Sequence, residues 1–324
     1  MNFRTTKITT RTIVAEDVTT TKALVCIVGP TAAGKTAMAV SLARIFHTEI
    51  ISADSRQFYR EMHIGTAKPT QQELSAVPHH FVGFLSVDEY YSAGDFERDA
   101  LAKLDELFLR HDIVFLVGGS GLFIQAVCRG MDDLPVVSEE IRSTYNILYS
   151  EKGLSALQHL LAVKDPEYYA KVDRQNPQRL IRALEVIEAT GKPFSAYHEK
   201  KWVKRAFNTL SIGVNLPREQ LYERINARVD RMISDGLEEE ARGLMHKSDT
   251  YALQTVGYSE MFRFFRSEIS FGEAVALIKQ NTRRYAKRQL TWFRRNAETI
   301  WFSPDDVSKA AAYIREKLAG STQA

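Results

Sequence analysis

The chain of 324 residues is long enough for one large α/β domain with an elaboration, or for two modest domains. With 44% hydrophobic and 26% charged residues its composition is that of an ordinary globular protein, and no apolar run approaches bilayer length, so the chain is expected in solution. The net charge of +3 is too small to imply a nucleic-acid partner by itself, and the two cysteines, Cys26 and Cys128, lack metal-ligand spacing and read as small buried hydrophobes.

Residues 1–22 are threonine-rich with scattered basic and acidic positions, a poor match to a transit peptide, and read as a disordered extension. Ala23-Leu-Val-Cys-Ile-Val28 is a continuous apolar run, as a parallel strand buried on both faces requires. A glycine-containing turn follows, then a helix over 37–46, a second strand over 49–52 ending at Asp54, a helix over 95–110, and a third strand over 113–117 ending in Gly118-Gly-Ser-Gly121. From about 132 to 206 the pattern is helical and strongly charged, without a strand. A strand returns at 209–215, and Pro217 opens one long helix to about His246. A helix over 272–296, a short strand over 299–302 and a terminal helix complete the chain. The expected architecture is α/β: a P-loop NTPase-like parallel sheet flanked by helices, built from 23–131 and 207–324, with a helical insertion domain over 132–206.

The turn Gly29-Pro-Thr-Ala-Ala-Gly-Lys-Thr36 matches the P-loop pattern G-x-x-x-x-G-K-[ST] in full, between a strand and a helix. Its glycines let the backbone curl so that successive N–H groups converge on phosphate oxygens, Lys35 reaches the terminal phosphate, and the Thr36 hydroxyl can ligate Mg²⁺. The motif does not say which phosphate compound binds. The strand over 113–117 ends in glycines rather than in the acid that helps a nucleotide hydrolase hold Mg²⁺, which suits a loop holding the diphosphate of a leaving group. Asp54 projects from the carboxyl end of the second strand, the edge where ligands sit in open α/β sheets, although position alone fits a simple turn cap equally well.

The wider strings resemble the tRNA dimethylallyltransferase family over about 24–302, in order throughout. They are the P-loop itself, Asp54-Ser-Arg-Gln-Phe-Tyr-Arg60, Met62-His-Ile-Gly-Thr-Ala-Lys-Pro69, Gly118-Gly-Ser-Gly-Leu-Phe123, and Gln178-Arg-Leu-Ile-Arg-Ala-Leu-Glu185. Arg228-Val-Asp-Arg-Met232, Gly236-Leu-Glu-Glu-Glu240, Gln254-Thr-Val-Gly-Tyr258 and Thr282-Arg-Arg-Tyr-Ala-Lys-Arg-Gln-Leu-Thr-Trp292 continue the likeness. It implies transfer of a dimethylallyl group from dimethylallyl diphosphate to N6 of adenosine 37 in the anticodon stem-loop of tRNA. The resemblance places Gly29, Thr31, Ala32, Ala33, Gly34, Lys35 and Thr36 on the diphosphate, with Arg284 assisting and Mg²⁺ as cofactor on Thr36. It makes Asp54 the general base, and Ser120, where the family usually has threonine, the hydroxyl that positions the adenine amine. It implies tRNA contacts from Asp54, Ser55, Arg56, Gln57, Ser120, Arg142, Gln175, Gln178, Arg179, Gln254, Gly257 and Tyr258. The absence of cysteines for a zinc finger points to the bacterial type, expected to be a cytoplasmic monomer.

Between Lys279 and Arg295 there are seven basic residues and no acidic one. Arg284, Lys287, Arg288 and Arg295 lie close together on a helix and Arg283 and Lys287 form a neighbouring pair, with Tyr285, Trp292 and Phe293 interleaved. A solvated charged face is the simpler account of any one of them; the stripe as a whole points to phosphate contact, and Arg283, Lys287 and Arg288 join the expected tRNA contacts. The basic residues Arg174, Arg179, Arg182, Lys200, Lys201, Lys204 and Arg205 suggest that the helical insertion clamps the anticodon stem. His79 and His80 read as structural. The rival readings are a P-loop small-molecule kinase, which accounts for 29–36 but not for the later strings, and a non-catalytic RNA-binding protein that keeps the fold.

Overall fold

The computed structural model describes residues 22–132, 134–135, 137–197 and 202–320. The extension over 1–21 and the basic pair Lys200 and Lys201 lie outside them.

Six strands form one all-parallel sheet: β1 (Ala23–Val28), β2 (Ile50–Ser52), β3 (His79–His80), β4 (Ile113–Gly118), β5 (Asn208–Val214) and β6 (Ile300–Phe302), in the order β3-β2-β4-β1-β5-β6. The central strand β1 pairs with β4 and β5, so that Val25 lies beside Phe115 and Leu210. Alternation along β1 sends Leu24, Cys26 and Val28 to one face and Val25 and Ile27 to the other, and each set joins a separate apolar cluster. Helices therefore cover both faces, as an all-parallel sheet demands. On the first face lie α3 (Ala93–Phe108) and α4 (Gly121–Arg129), packing Phe96, Leu104, Ile124 and Val127. On the second lie α1 (Lys35–Ile45), α8 (Arg218–Ser234) and α12 (Val307–Gly320), packing Met38, Leu42, Leu221, Ile225 and Ile314. The short α2 (Gln71–Ala76) leads into β3 and is closed at its start by a reciprocal Thr70–Glu73 capping box.

Beyond α4, three helices before β5 surround a core of their own. These are α5 (Glu139–Lys164), α6 (Pro166–Lys171) and α7 (Pro177–Thr190), burying Tyr145, Leu157, Leu161, Leu180, Leu184 and Phe194. α5 is broken at Gly153, whose φ of 71° no helical residue adopts. Asp165 caps α6 through the Tyr168 N–H at 2.9 Å and also accepts the Ser195 N–H at 2.7 Å, stapling the last turn of this unit to its middle.

The single helix expected from 217 to 246 is two. α8 stops at Ser234, and α9 (Leu237–Gly243) starts after Gly236, whose φ of 102° reverses the chain. α10 (Tyr258–Phe265) and α11 (Phe271–Phe293) follow. The strand β3, too short for a periodicity signal, extends the sheet edge and carries His79 and His80. His80 is structural as expected, its Nε2 lying 2.7 Å from the Glu49 carboxylate. Cys26 and Cys128, on β1 and α4, meet as free thiols with sulfurs 3.3 Å apart. No helix among the described residues is long and apolar enough to cross a membrane.

The glycine at the end of β4 is a contact point rather than a hinge. A Cβ on Gly118 would lie 2.2 Å from the Ala53 carbonyl oxygen, so one of the two strands beneath the site would have to move. Gly118→Ala is expected to destabilise the chain by roughly 1–3 kcal/mol, the usual range for overpacking. Gly272→Ala, at a helical position with open space around it, should be neutral or stabilising by a few tenths of a kcal/mol. Urea unfolding midpoints of both variants test this; equal midpoints would refute the contact.

Candidate active site

The turn after β1 winds through three left-handed residues, Gly29 (φ 144°), Ala32 (φ 64°) and Gly34 (φ 97°). Glycine is required at 29 for a second reason, because a Cβ there would stand 2.3 Å from the Val214 carbonyl oxygen on β5. Gly34 is the N-cap of α1 and offers no side chain to its first turn, so those N–H groups are left for an anion. Lys35 folds back over the loop and donates to the Pro30 carbonyl at 2.8 Å. Gln289, buried on α11, accepts the Thr31 N–H at 2.8 Å and donates to the Gly119 carbonyl at 3.0 Å. It thereby ties the P-loop to the glycine turn after β4.

A cavity of about 380 Å³ opens beside this loop. Thr31, Ala32, Gly34, Lys35 and Thr36 line it together with Asp54, Gln57 and Gly118 from the adjacent strand ends. Gly29 and Ala33 shape the loop without lining the cavity; Ala33 is fully buried and its N–H turns to the Pro30 carbonyl at 3.3 Å. Two arginines absent from the expected set, Arg228 and Arg231, enter from α8, and Lys68, Glu73 and His79 close the far side. Arg228 donates to the Thr31 hydroxyl at 3.1 Å. Arg228, three residues past the buried Ile225 and seven past the buried Leu221, borders the packed face of the helix, and Arg231, one turn further on, lies on its polar flank. That pattern was available in the sequence, but nothing local says that the polar side of α8 turns toward the P-loop.

On the cavity wall Lys35, Lys68, Arg228 and Arg231 face only the carboxylates of Asp54 and Glu73. The site is therefore short of negative charge, as a diphosphate site should be. Burial pushes the Lys35 ammonium down to about 8, against the pull of Asp54 and with the push of Arg228. Burial likewise lowers Arg228 from its ordinary value. His79 donates Nδ1–H to the Val77 carbonyl at 2.8 Å, which leaves Nε2 as an acceptor, and burial holds the ring below the usual histidine range. The residue also borders the cavity.

The strand ends set Asp54 and Ser120 side by side. Ala53 donates to the Val117 carbonyl at 2.7 Å, and Ser120 donates back to the Ala53 carbonyl at 3.3 Å. The Ser120 hydroxyl accepts the Ser55 N–H at 3.0 Å and lies 3.1 Å from the Ser55 hydroxyl. Tyr285 of α11 stands near the same Ser120, with its phenol pushed well above its ordinary range by burial and by the Asp54 charge. Asp54 accepts the Arg56 N–H at 3.2 Å. Gln57 holds the 62–69 loop through the carbonyls of Thr66 and Ala67 at 3.2 and 3.0 Å. Glu240 anchors the other side of that loop by accepting three N–H groups, from His63, Ile64 and Gly65, at 2.8–2.9 Å.

Other expected contacts are spread more widely. Arg284 does not line the cavity: it is exposed and donates to Asn281 at 3.2 Å, because α11 turns Tyr285 and Gln289 inward, and Arg228 supplies the charge expected of it. Arg283 is held by Asn226 at 2.6 Å. Lys287 and Arg288 line a shallow groove with Thr291, Trp292 and Arg295 on the outer side of α11. Tyr258 cannot offer its side chain to RNA, since it is fully buried with its hydroxyl 2.6 Å from Glu240. Gly257, with φ 101°, makes the turn into α10. Gln254 is exposed, as are Gln175, Gln178 and Arg179 at the start of α7. Arg142 lies 3.4 Å from the buried Glu185 carboxylate.

The family described as IPP transferase matches residues 57–296. The tRNA dimethylallyltransferase of Christiangramia forsetii is 52% identical over 296 residues, covering 91% of this chain and 98% of that protein. That of Cytophaga hutchinsonii is 48% identical, covering 92% and 98%. The crystal structure of the tRNA isopentenylpyrophosphate transferase from Bacillus halodurans superposes with a TM-score of 0.69 at 38% identity, covering 93% of this chain and 98% of that one. The chain belongs to the IPP transferase family, that of the tRNA dimethylallyltransferases, in its bacterial form.

Proposed function

We propose that the chain transfers the dimethylallyl group of dimethylallyl diphosphate to N6 of adenosine 37 in the anticodon loop of tRNA, with Asp54 as general base. The observation that carries this reading is the presence of the Asp54 carboxylate in the same cavity as Lys35, Thr36 and the P-loop turn. A diphosphate on the loop leaves its allylic carbon on the strand-end side, where the carboxylate stands.

An adenine amine is a weak nucleophile because its lone pair is delocalised into the ring. A carboxylate within hydrogen-bond reach takes its proton as the C–N bond forms, and the Ser120 hydroxyl, held by Ser55 next to Asp54, would orient the amine. The C–O bond breaks on the other side of the carbon, and charge gathers on the departing diphosphate. The N–H groups at the start of α1, with Lys35 and Arg228, stand where that charge grows. Mg²⁺ fits the hard oxygen donors here: the Thr36 hydroxyl would hold it together with diphosphate oxygens and water, adding further charge stabilisation. The described residues contain no cluster of three or more His, Cys, Asp or Glu that could hold a metal by itself. The exposed basic groove of α11 and the arginines at the start of α7 support phosphate contacts along the stem, and with them a role for the helical unit over 132–206 in gripping it.

Asp54→Ala should lower the turnover number about 10²–10⁴-fold, the range of general-base catalysis, without weakening binding of dimethylallyl diphosphate. Transfer of radiolabelled substrate to unmodified tRNA, with a tRNA carrying guanosine 37 as control, measures it. Wild-type rates in the variant would remove Asp54 from the chemistry.

The depressed Lys35 ammonium has a pH signature. It is charged below about 8 and neutral above, so kcat/KM for dimethylallyl diphosphate should fall as the pH rises through about 8. Lys35→Arg should move that alkaline limb upward, since a guanidinium keeps its proton. An unmoved limb would assign the titration to another group.

A further inference from the structure

Two tyrosines stand half in solvent where the helical unit touches the sheet domain. Tyr90 precedes α3 and Tyr251 precedes α10, with relative exposures of 51% and 50%. Their ring centroids are 5.6 Å apart at an interplanar angle of 62°. The guanidinium of Arg142, on α5, lies 3.9 Å over the Tyr90 ring, and that of Arg56 lies 4.8 Å over the Tyr251 ring. Both cations are fixed from behind. Glu185, buried on α7, holds Arg142 at 3.4 Å, and the carbonyl oxygens of Tyr251 and Ala252 hold Arg56 at 2.8 and 3.0 Å. Arg56 is two residues past Asp54, so the row runs from beside the reacting carboxylate to the helical unit.

As packing within the protein this arrangement is wasteful. Each tyrosine has a planar cation against its ring and is about half exposed as a residue, where burial of an aromatic side chain would be favourable. It suits a partner made of flat π-systems strung on a polyanion. Bases stack on tyrosine faces irrespective of their identity, while adjacent guanidinium groups neutralise phosphates and contribute cation–π attraction. A duplex keeps its bases stacked on one another and does not offer those faces, so the occupant is a single-stranded loop.

We propose that Tyr90 and Tyr251, backed by Arg142 and Arg56, form a stacking platform for unpaired loop nucleotides flanking the adenosine that reaches Asp54. The platform rests on the tRNA reading above. It compensates for the stacking that the loop loses when the acceptor base turns into the cavity.

The test uses the full chain and an anticodon stem-loop carrying 2-aminopurine beside the acceptor position. Wild type, Tyr90→Leu, Tyr251→Leu and the two Tyr→Phe variants are compared. Binding should quench the 2-aminopurine emission in the wild type and in the Phe variants, which keep the ring. Each Leu variant should lose the quenching and raise the KM for tRNA roughly tenfold, with the KM for dimethylallyl diphosphate and the melting temperature unchanged. Leu variants that quench and bind as the wild type does would overturn the platform. Quenching by the wild type without transfer would leave the platform standing and overturn the acceptor reading instead, so the two failures are distinct.

Discussion

Gln289 reaches from α11 between two backbone turns that are far apart in sequence, accepting from the Thr31 N–H and donating to the Gly119 carbonyl. A buried amide with both halves satisfied is rigid, because any displacement leaves an unpaired polar group out of water. The phosphate loop and the strand end that carries Ser120 are thereby held at one separation. The glycines around it follow from the same closeness. A Cβ on Gly119 would lie 2.1 Å from the Gln289 amide, and one on Gly121 would lie 2.2 Å from the Trp292 indole nitrogen.

α11 consequently has two different sides. Tyr285, Gln289 and Trp292, at spacings of four and three, meet Ser120, the P-loop and the Gly121 turn. Lys287, Arg288 and Arg295, with Thr291 and Trp292, line the groove on the outer side. One helix thus connects a basic surface with both halves of the cavity. The 62–69 loop is held in a comparable way, between Gln57 on the site side and the Glu240 carboxylate behind it. A carboxylate facing three converging N–H groups is a strong local restraint on a segment without regular structure.

The cavity charge follows from this scaffold. Lys35 is pushed toward neutrality by burial and by Arg228. Asp54 offsets part of that field from the strand-end side. The P-loop cations and the Asp54 carboxylate thus share one space.

Much of this was legible in the residues. The apolar run at 23–28, the P-loop, the strand leading to Asp54 and the glycines after β4 all carry short-range signals, because strand burial and tight turns limit which side chains fit locally. The same holds for the helical stretch between β4 and β5. The break at Gly236 was not legible as such, since a glycine inside a helical pattern is often tolerated, and the two-residue β3 carries no periodicity at all. The cavity was another matter. Arg228, Arg231, Tyr285 and Gln289 sit on amphipathic helices whose polar positions look alike in sequence, and Arg284 and Arg283 are indistinguishable there from catalytic cations. Tyr258 looked like a surface contact and is a buried partner of Glu240. Sequence alone determined the sheet, the P-loop turn and the carboxylate at the end of β2, because each is specified within a few residues of backbone. Which cations face the cavity and which face solvent was decided only by the tertiary structure, because the rotation of a helix about its axis is set by packing against distant segments.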